Sequence, residues 1–166
     1  MPRSSRQPKN SNFWGNPLKP INVSNQGIEM RVLQLHCSDF NYKTLKETPV
    51  AEHPPFPKEG EYENILVCFT CFEKQDMDRE KEIIEKYTEN IKIDTERIGC
   101  KQVLLHPYAH LSHELGSPKR AKQFLVDLES RLKAEGIDAH RSPFGWYKAF
   151  GLYCKGHPLA EAYREY

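Results

Sequence analysis

Long apolar runs are missing from this 166-residue sequence. None approaches the ~20 residues that a membrane-spanning helix needs, which excludes insertion by that route. Charge of one sign is missing too. A formal net charge of +1 removes any global electrostatic case for nucleic-acid binding, which rests on a concentrated basic patch neutralising several phosphates. An RNA substrate would have to be gripped locally. Cysteine is sparse and scattered: Cys37, Cys68, Cys71, Cys100 and Cys154 fall on predicted strands and a helix end, with no apolar signal segment before them. That is the pattern of reduced thiols in a cytosolic, cytoplasmic protein. Acidic residues are absent from residues 1–28, where Ser, Asn, Pro and Arg dominate, and residues 1–29 read as a disordered extension or leader. Pro8, Pro17 and Pro20, with no amphipathic pattern around them, argue against an organelle transit peptide. There is no internal repeat.

What is present from Met30 onward is one domain's worth of patterned chain. Met30–His36 is compact and apolar, as a strand is, and Phe40–Leu45 is expected to turn back beside it as a hairpin. The segment from Thr48 to Glu61 carries His53-Pro54-Pro55-Phe56-Pro57, and proline removes backbone donors that a ladder needs, so it reads as an exposed loop. Asn64–Phe72 is almost continuously apolar, the mark of a central strand covered on both faces. Asp78–Ile98 follows as an amphipathic helix, with Ile84, Tyr87, Ile91 and Ile98 on one face and Gly99 as its left-handed stop. Val103–Leu105 is then a second buried strand, and a crossover of this length implies a parallel pair. Ser117 caps a second helix with Pro118 at its first position and Phe124, Leu125, Leu128 and Leu132 inside; Gly136 ends it. A strand over Gly145–Cys154 and a short helix from Pro158 complete an α/β fold: a mixed sheet with two main amphipathic helices.

Two metal readings fail on spacing. Cys68 and Cys71 lie three apart in a strand, hence on opposite faces, with no second pair to complete a ligand set; core thiols are the reading. His110-Leu111-Ser112-His113-Glu114 has the wrong order for a zinc-protease helix. Three polar clusters are more informative, because loops beyond strand ends are where α/β sheets place their sites. They are His106–His110, Trp146-Tyr147-Lys148 and Lys155–Glu161. Taken singly, each also has a structural explanation: His110 as a loop cap, Lys148 as a solvated strand residue, and Glu161 as a helix-start carboxylate.

Four blocks in order, Met30-Arg31-Val32-Leu33, Pro107-Tyr108-Ala109-His110-Leu111-Ser112, Ser142-Pro143-Phe144-Gly145-Trp146-Tyr147-Lys148-Ala149-Phe150 and Cys154-Lys155-Gly156-His157-Pro158-Leu159-Ala160-Glu161, resemble the amino-terminal editing domain of archaeal threonyl-tRNA synthetases. The resemblance spans residues 30–166. It implies a fold like the D-aminoacyl-tRNA deacylases, a homodimer, and hydrolysis of L-seryl-tRNA(Thr) at the tRNA 3' end with threonyl-tRNA(Thr) spared. Its synthetase catalytic body would be fused or separate, since no aminoacylation motifs are present here. The physical need is that one methylene is worth only about 1–3 kcal/mol of discrimination, so a second, hydrolytic site must clear serine errors.

By the same resemblance Lys148 is the principal catalytic residue, as a base or as a cation. His110 is the second polar group, Glu161 is placed near the site to orient or compensate the lysine, and Tyr147 is a neighbouring tyrosine. Phe72, Ala109 and Phe144 grip the ligand through main-chain groups, with Phe72 standing where the family commonly has an aliphatic residue. No cofactor or metal is expected. The alternatives are a D-aminoacyl-tRNA deacylase, and a non-catalytic tRNA-binding or dimerisation module.

Overall fold

The structure is a computed structural model that describes residues 30–166, so the expectation of disorder over 1–29 lies outside the described residues. Eight regular elements follow one another: strand β1 (Arg31–Glu47), strand β2 (Glu59–Cys71), helix α1 (Glu80–Ile98), strand β3 (Gln102–Pro107), helix α2 (Pro118–Ala134), and strands β4 (Asp138–Arg141), β5 (Trp146–Cys154) and β6 (Glu161–Glu165). Short 3-10 turns at Lys74–Asp78 and Ala109–Leu111 follow β2 and β3.

The sheet order is β4-β3-β2-β1-β5, with β6 also on β1. β1 and β2 are antiparallel, while β2, β3 and β4 run parallel through crossovers by α1 and α2. β5 and β6 share one edge of β1 end to end: β6 takes Arg31–Leu35 and β5 takes Cys37–Glu47. This mixed sheet with two helices is the expected fold class, of the D-aminoacyl-tRNA deacylase type.

β2 is central, and its unbroken apolar run serves two cores. Leu66 and Cys68 face the helices and join Val103, Leu105, Tyr87, Ile91, Phe124 and Leu128. Ile65, Val67 and Phe69 face the other way, with Cys37, Phe40, Tyr42 and Leu104. Among the described residues no helix lies over that second face. It is closed by the curl of the sheet: the Phe150 ring on edge strand β5 lies 5.7 Å from Phe69 on β2 and 5.4 Å from His106 on β3.

Three expectations are corrected. Phe40–Leu45 does not turn back; β1 runs on through it, paired with β2 as far as Lys43↔Glu59. Its bends are absorbed by register shifts at Cys37/Asp39 and Thr44/Lys46, as bulges do. The chain reverses instead in the proline-rich segment before Glu59. The segment after Pro158 forms β6 rather than a helix, because Arg31–Leu35 at the start of β1 offer an edge to pair with and Ala162 and Arg164 alternate inward there. Finally, four-residue β4 was not anticipated; Asp-Ala-His-Arg has no strand pattern, and only the parallel edge of β3 selects it. The helices match more closely. Gly99 and Gly136 sit at φ +64 and +81 just beyond α1 and α2. Pro118 opens α2, although the Ser117 side chain makes no capping bond.

Candidate active site

Lys148 sits mid-β5 opposite Thr44, its side chain on the curled, helix-free face. The ammonium donates to the Pro143 carbonyl at 2.6 Å and to Ser142 Oγ at 3.3 Å. Both acceptors belong to the turn from β4 into β5. Gly145 makes that turn possible: its φ is +75, and a Cβ there would lie 2.5 Å from the Val50 carbonyl, so only glycine lets the turn lie against the 48–52 segment.

Behind the lysine is a buried polar layer, of which the sequence marked His106 and Ser142 only as members of longer blocks and Glu52 not at all. Ser142 is fully buried and its Oγ lies 3.0 Å from Nδ1 of His106, itself 2% exposed. Glu52 accepts from the Arg141 guanidinium at 2.7 Å and from the Phe144 N–H at 2.9 Å. Its main-chain carbonyl accepts from the Trp146 indole at 2.9 Å. Burial pulls the Lys148 ammonium down to about 8, with Glu52 opposing and Arg141 assisting. Burial, and then the Lys148 charge, push His106 down to about 3, so it stays neutral. Glu52 was hidden in a loop read as exposed, and about ninety positions from its partners nothing local could have marked it. For His106 the available signal was a polar side chain closing the apolar run of β3.

Phe72, Ala109 and Phe144 do come together. With Thr70, Tyr108 and Gly116 they line a cavity of about 70 Å³ at the ends of β2 and β3, room for a few waters or one small side chain. Gly116 is close-packed there, since a Cβ would lie 2.6 Å from the Phe72 ring. The main-chain groups are less free than expected. Phe144 N–H is bonded to Glu52, the Phe144 carbonyl accepts from Glu52 N–H at 3.0 Å, and the Phe72 carbonyl accepts from Gly116 N–H at 3.1 Å. Each carbonyl keeps one lone pair for a ligand; the Phe144 N–H keeps nothing.

The other candidates stand further off. His110 is exposed on its 3-10 turn, and rings alone connect it to the lysine's surroundings: Tyr108 at 5.1 Å, then Phe69 at 5.1 Å, then His106 at 5.2 Å. Tyr147 is 62% exposed and, next to Lys148 in a regular strand, projects from the opposite face. The nearby register shift inserts Leu45 on β1, not a residue on β5, so it leaves that alternation intact. Glu161 is exposed and pairs with Leu35, nine positions along β1 from the Thr44 that faces Lys148. At 3.3 Å per residue that is about 30 Å, too far for contact within one chain.

Among the described residues no cluster of three His, Cys, Asp or Glu side chains could hold a metal ion, and no helix is long and apolar enough to cross a membrane. All five cysteines are free thiols.

Similarity to known proteins accords with this geometry. Threonine–tRNA ligases of Methanobrevibacter smithii and Hyperthermus butylicus are 43% and 42% identical over 136 and 142 residues. Those matches cover 81% and 82% of this chain but only 22% and 23% of the ligases. The ligase of Nitrosopumilus maritimus is 41% identical over 80% of this chain and 21% of its own. The chain thus spans about a fifth of the length of these relatives. A solved structure titled c-Myc DNA Unwinding Element Binding Protein superposes with a TM-score of 0.58 at 10% identity, covering 82% of this chain and 99% of that one, a likeness of fold alone. Residues 30–166 match the family model described as the archaea-specific editing domain of threonyl-tRNA synthetase, and the chain belongs to that family.

Proposed function

We propose that this chain hydrolyses the ester of L-seryl-tRNA(Thr) and spares threonyl-tRNA(Thr), as the proofreading part of a threonyl-tRNA synthetase. The observation that carries the reading is a half-buried lysine, Lys148, anchored to the carbonyl of Pro143, whose next residue, Phe144, lines a cavity of about 70 Å³ with Phe72 and Ala109. A cavity that small suits serine better than a larger side chain.

In the reaction, the oxygen of a water bonds to the seryl carbonyl carbon and the carbonyl electron pair moves onto its oxygen. The tetrahedral centre then collapses with cleavage of the bond to the ribose oxygen, which takes up the proton that the water loses. Lys148, lowered to about 8, is mostly charged at pH 7. It acts as the cation facing the developing oxyanion, in a partly dry setting where such stabilisation is largest. His110, next to Ala109 of the cavity wall, would meet the ligand from that wall and not from the side of the lysine. If Tyr147 and Glu161 take part, they do so from a second copy, since neither reaches Lys148 within one chain. Among the described residues β5 presents an unpaired edge, with Tyr147 and Tyr153 at 62% and 72% exposed, and such edges invite pairing. The substrate is the charged 3' end of tRNA(Thr), and the synthetase body lies in cis or on another cytoplasmic chain.

The test is single-turnover deacylation of seryl-tRNA(Thr), threonyl-tRNA(Thr) and a D-aminoacyl-tRNA, with Lys148→Ala alongside. Loss of serine only, slowed about 10²–10³-fold in the variant, supports the reading. Preference for the D-substrate would replace it with D-aminoacyl-tRNA deacylation, and hydrolysis of none with a binding module.

A further inference from the structure

The Lys148 ammonium can only donate hydrogen bonds, and so can the protonated form of His106. Ser142 Oγ lies between them, at 3.3 Å from Lys148 Nζ and 3.0 Å from His106 Nδ1. One arrangement satisfies all three. The lysine donates to the serine oxygen, the serine hydroxyl donates to Nδ1, and the imidazole is neutral with its proton on Nε2. His106 is suited to that state by its surroundings: Phe40, Phe69 and Phe150 ring it at 5.6, 5.2 and 5.4 Å, and it is 2% exposed.

We propose that Ser142 and His106 are positioning residues for Lys148: the buried neutral imidazole fixes the Ser142 hydroxyl so that it presents only lone pairs to the ammonium. Two of the three ammonium hydrogens are thereby committed, one to Ser142 and one to the Pro143 carbonyl, and the third is left for the reacting atoms. A free serine hydroxyl would behave differently, since it could turn its hydrogen toward the nitrogen and favour the uncharged amine. His106 therefore acts on the lysine through the serine, without touching substrate. The charged groups facing Lys148 are Glu52 from the 48–58 segment and Arg141 from β4; they hold each other at 2.7 Å and stay unchanged in the experiment. The inference rests on the reading that Lys148 serves the hydrolysis, and it is tested separately from it.

The Lys148 titration is followed directly by ¹³C NMR of the lysine ε-methylene, assigned by its loss in Lys148→Met, in the parent, Ser142→Ala, His106→Phe and His106→Asn. An acceptor on the charged form raises a pKa. Its loss in Ser142→Ala, or its release in His106→Phe, should lower the Lys148 midpoint by about one pH unit, the size of one charge-assisted hydrogen bond. His106→Asn, whose side-chain oxygen takes the place of Nδ1, should restore it, and the kcat–pH profile should move in step. Phenylalanine suits the ring of aromatics, and Ser142→Ala carries the test if His106→Phe does not fold. An unchanged midpoint in the folded variants, or no recovery with asparagine, overturns the proposal. A lowered midpoint in a protein that hydrolyses no aminoacyl ester would uphold the arrangement around Lys148 and sink the editing function instead.

Discussion

Glu52 clasps Phe144 twice: its carboxylate accepts the Phe144 N–H at 2.9 Å, and its own N–H donates to the Phe144 carbonyl at 3.0 Å. The same carboxylate neutralises Arg141, and both side chains are largely buried, at 7% and 13% exposed. Glu52→Ala leaves a buried guanidinium without this partner and should cost about 3 kcal/mol. Glu52→Gln keeps an acceptor for the N–H and should cost less. Urea midpoints of the two variants check the order, and equal losses would show that the clasp contributes nothing beyond charge.

Lys148 titrates near 8, and the direction of the rate above that value reports its role. A cation facing the oxyanion loses effect as it deprotonates, so the seryl-tRNA rate, corrected for spontaneous hydrolysis, should fall between pH 7.5 and 9 by roughly tenfold per unit at the limit. A rise to a plateau above 8 would make the lysine a general base.

His106 also predicts acid sensitivity. Its folded value, about 3, lies below the ordinary 6.5, so the unfolded chain binds the extra proton, and stability present above 6.5 is lost as pH falls toward 3. Asp76 works against this. Raised by burial to about 6 from 3.8, it holds a proton in the fold and gains stability as pH falls through 6. Replacing His106 by Asn should therefore flatten the loss between pH 7 and 5, read as a smaller change in urea midpoint than in the parent.

How much of this was visible beforehand follows from the range of each signal. Helix periodicity and the glycine stops of α1 and α2 are local, and they were legible. β6 and β4 are made by unpaired edges of β1 and β3, and no short window of Glu-Ala-Tyr-Arg-Glu or Asp-Ala-His-Arg reports a distant edge. Lys148 and the Phe72, Ala109, Phe144 group were reached by resemblance. The layer beneath them was not, because Ser142 meets His106 only once β4 pairs with β3, and Glu52 meets Arg141 and Phe144 only from about ninety positions away.

On the proposed function, the cavity wall sets selectivity. Phe72→Leu removes ring volume from a space of about 70 Å³ and should admit the methyl group that separates threonine from serine. Threonyl-tRNA hydrolysis should rise about tenfold, the scale of one methylene. Gly116→Ala should act oppositely, driving the Phe72 ring inward and slowing serine removal. If both variants keep parental selectivity, the amino acid is seated elsewhere.

Glu161 offers a test across copies. Lys148→Ala and Glu161→Ala chains, each inactive alone, should recover about a quarter of parental activity when mixed, because half of a random two-fold population is mixed and each such pair holds one intact site. No recovery, with mixed pairs verified by native mass spectrometry, would remove Glu161 from the reaction.

Met30 and Tyr166 exchange two main-chain hydrogen bonds, each 3.1 Å, and β1 is partner to β2, β5 and β6 alike. Among the described residues the first strand is thus finished by the last, across roughly 130 residues of loop closure. The edge along its first five residues, Arg31–Leu35, has its partner only once β6 has emerged from the ribosome. Closure of β1 by β6 is a non-local event, slow in the manner of long-range sheet pairing.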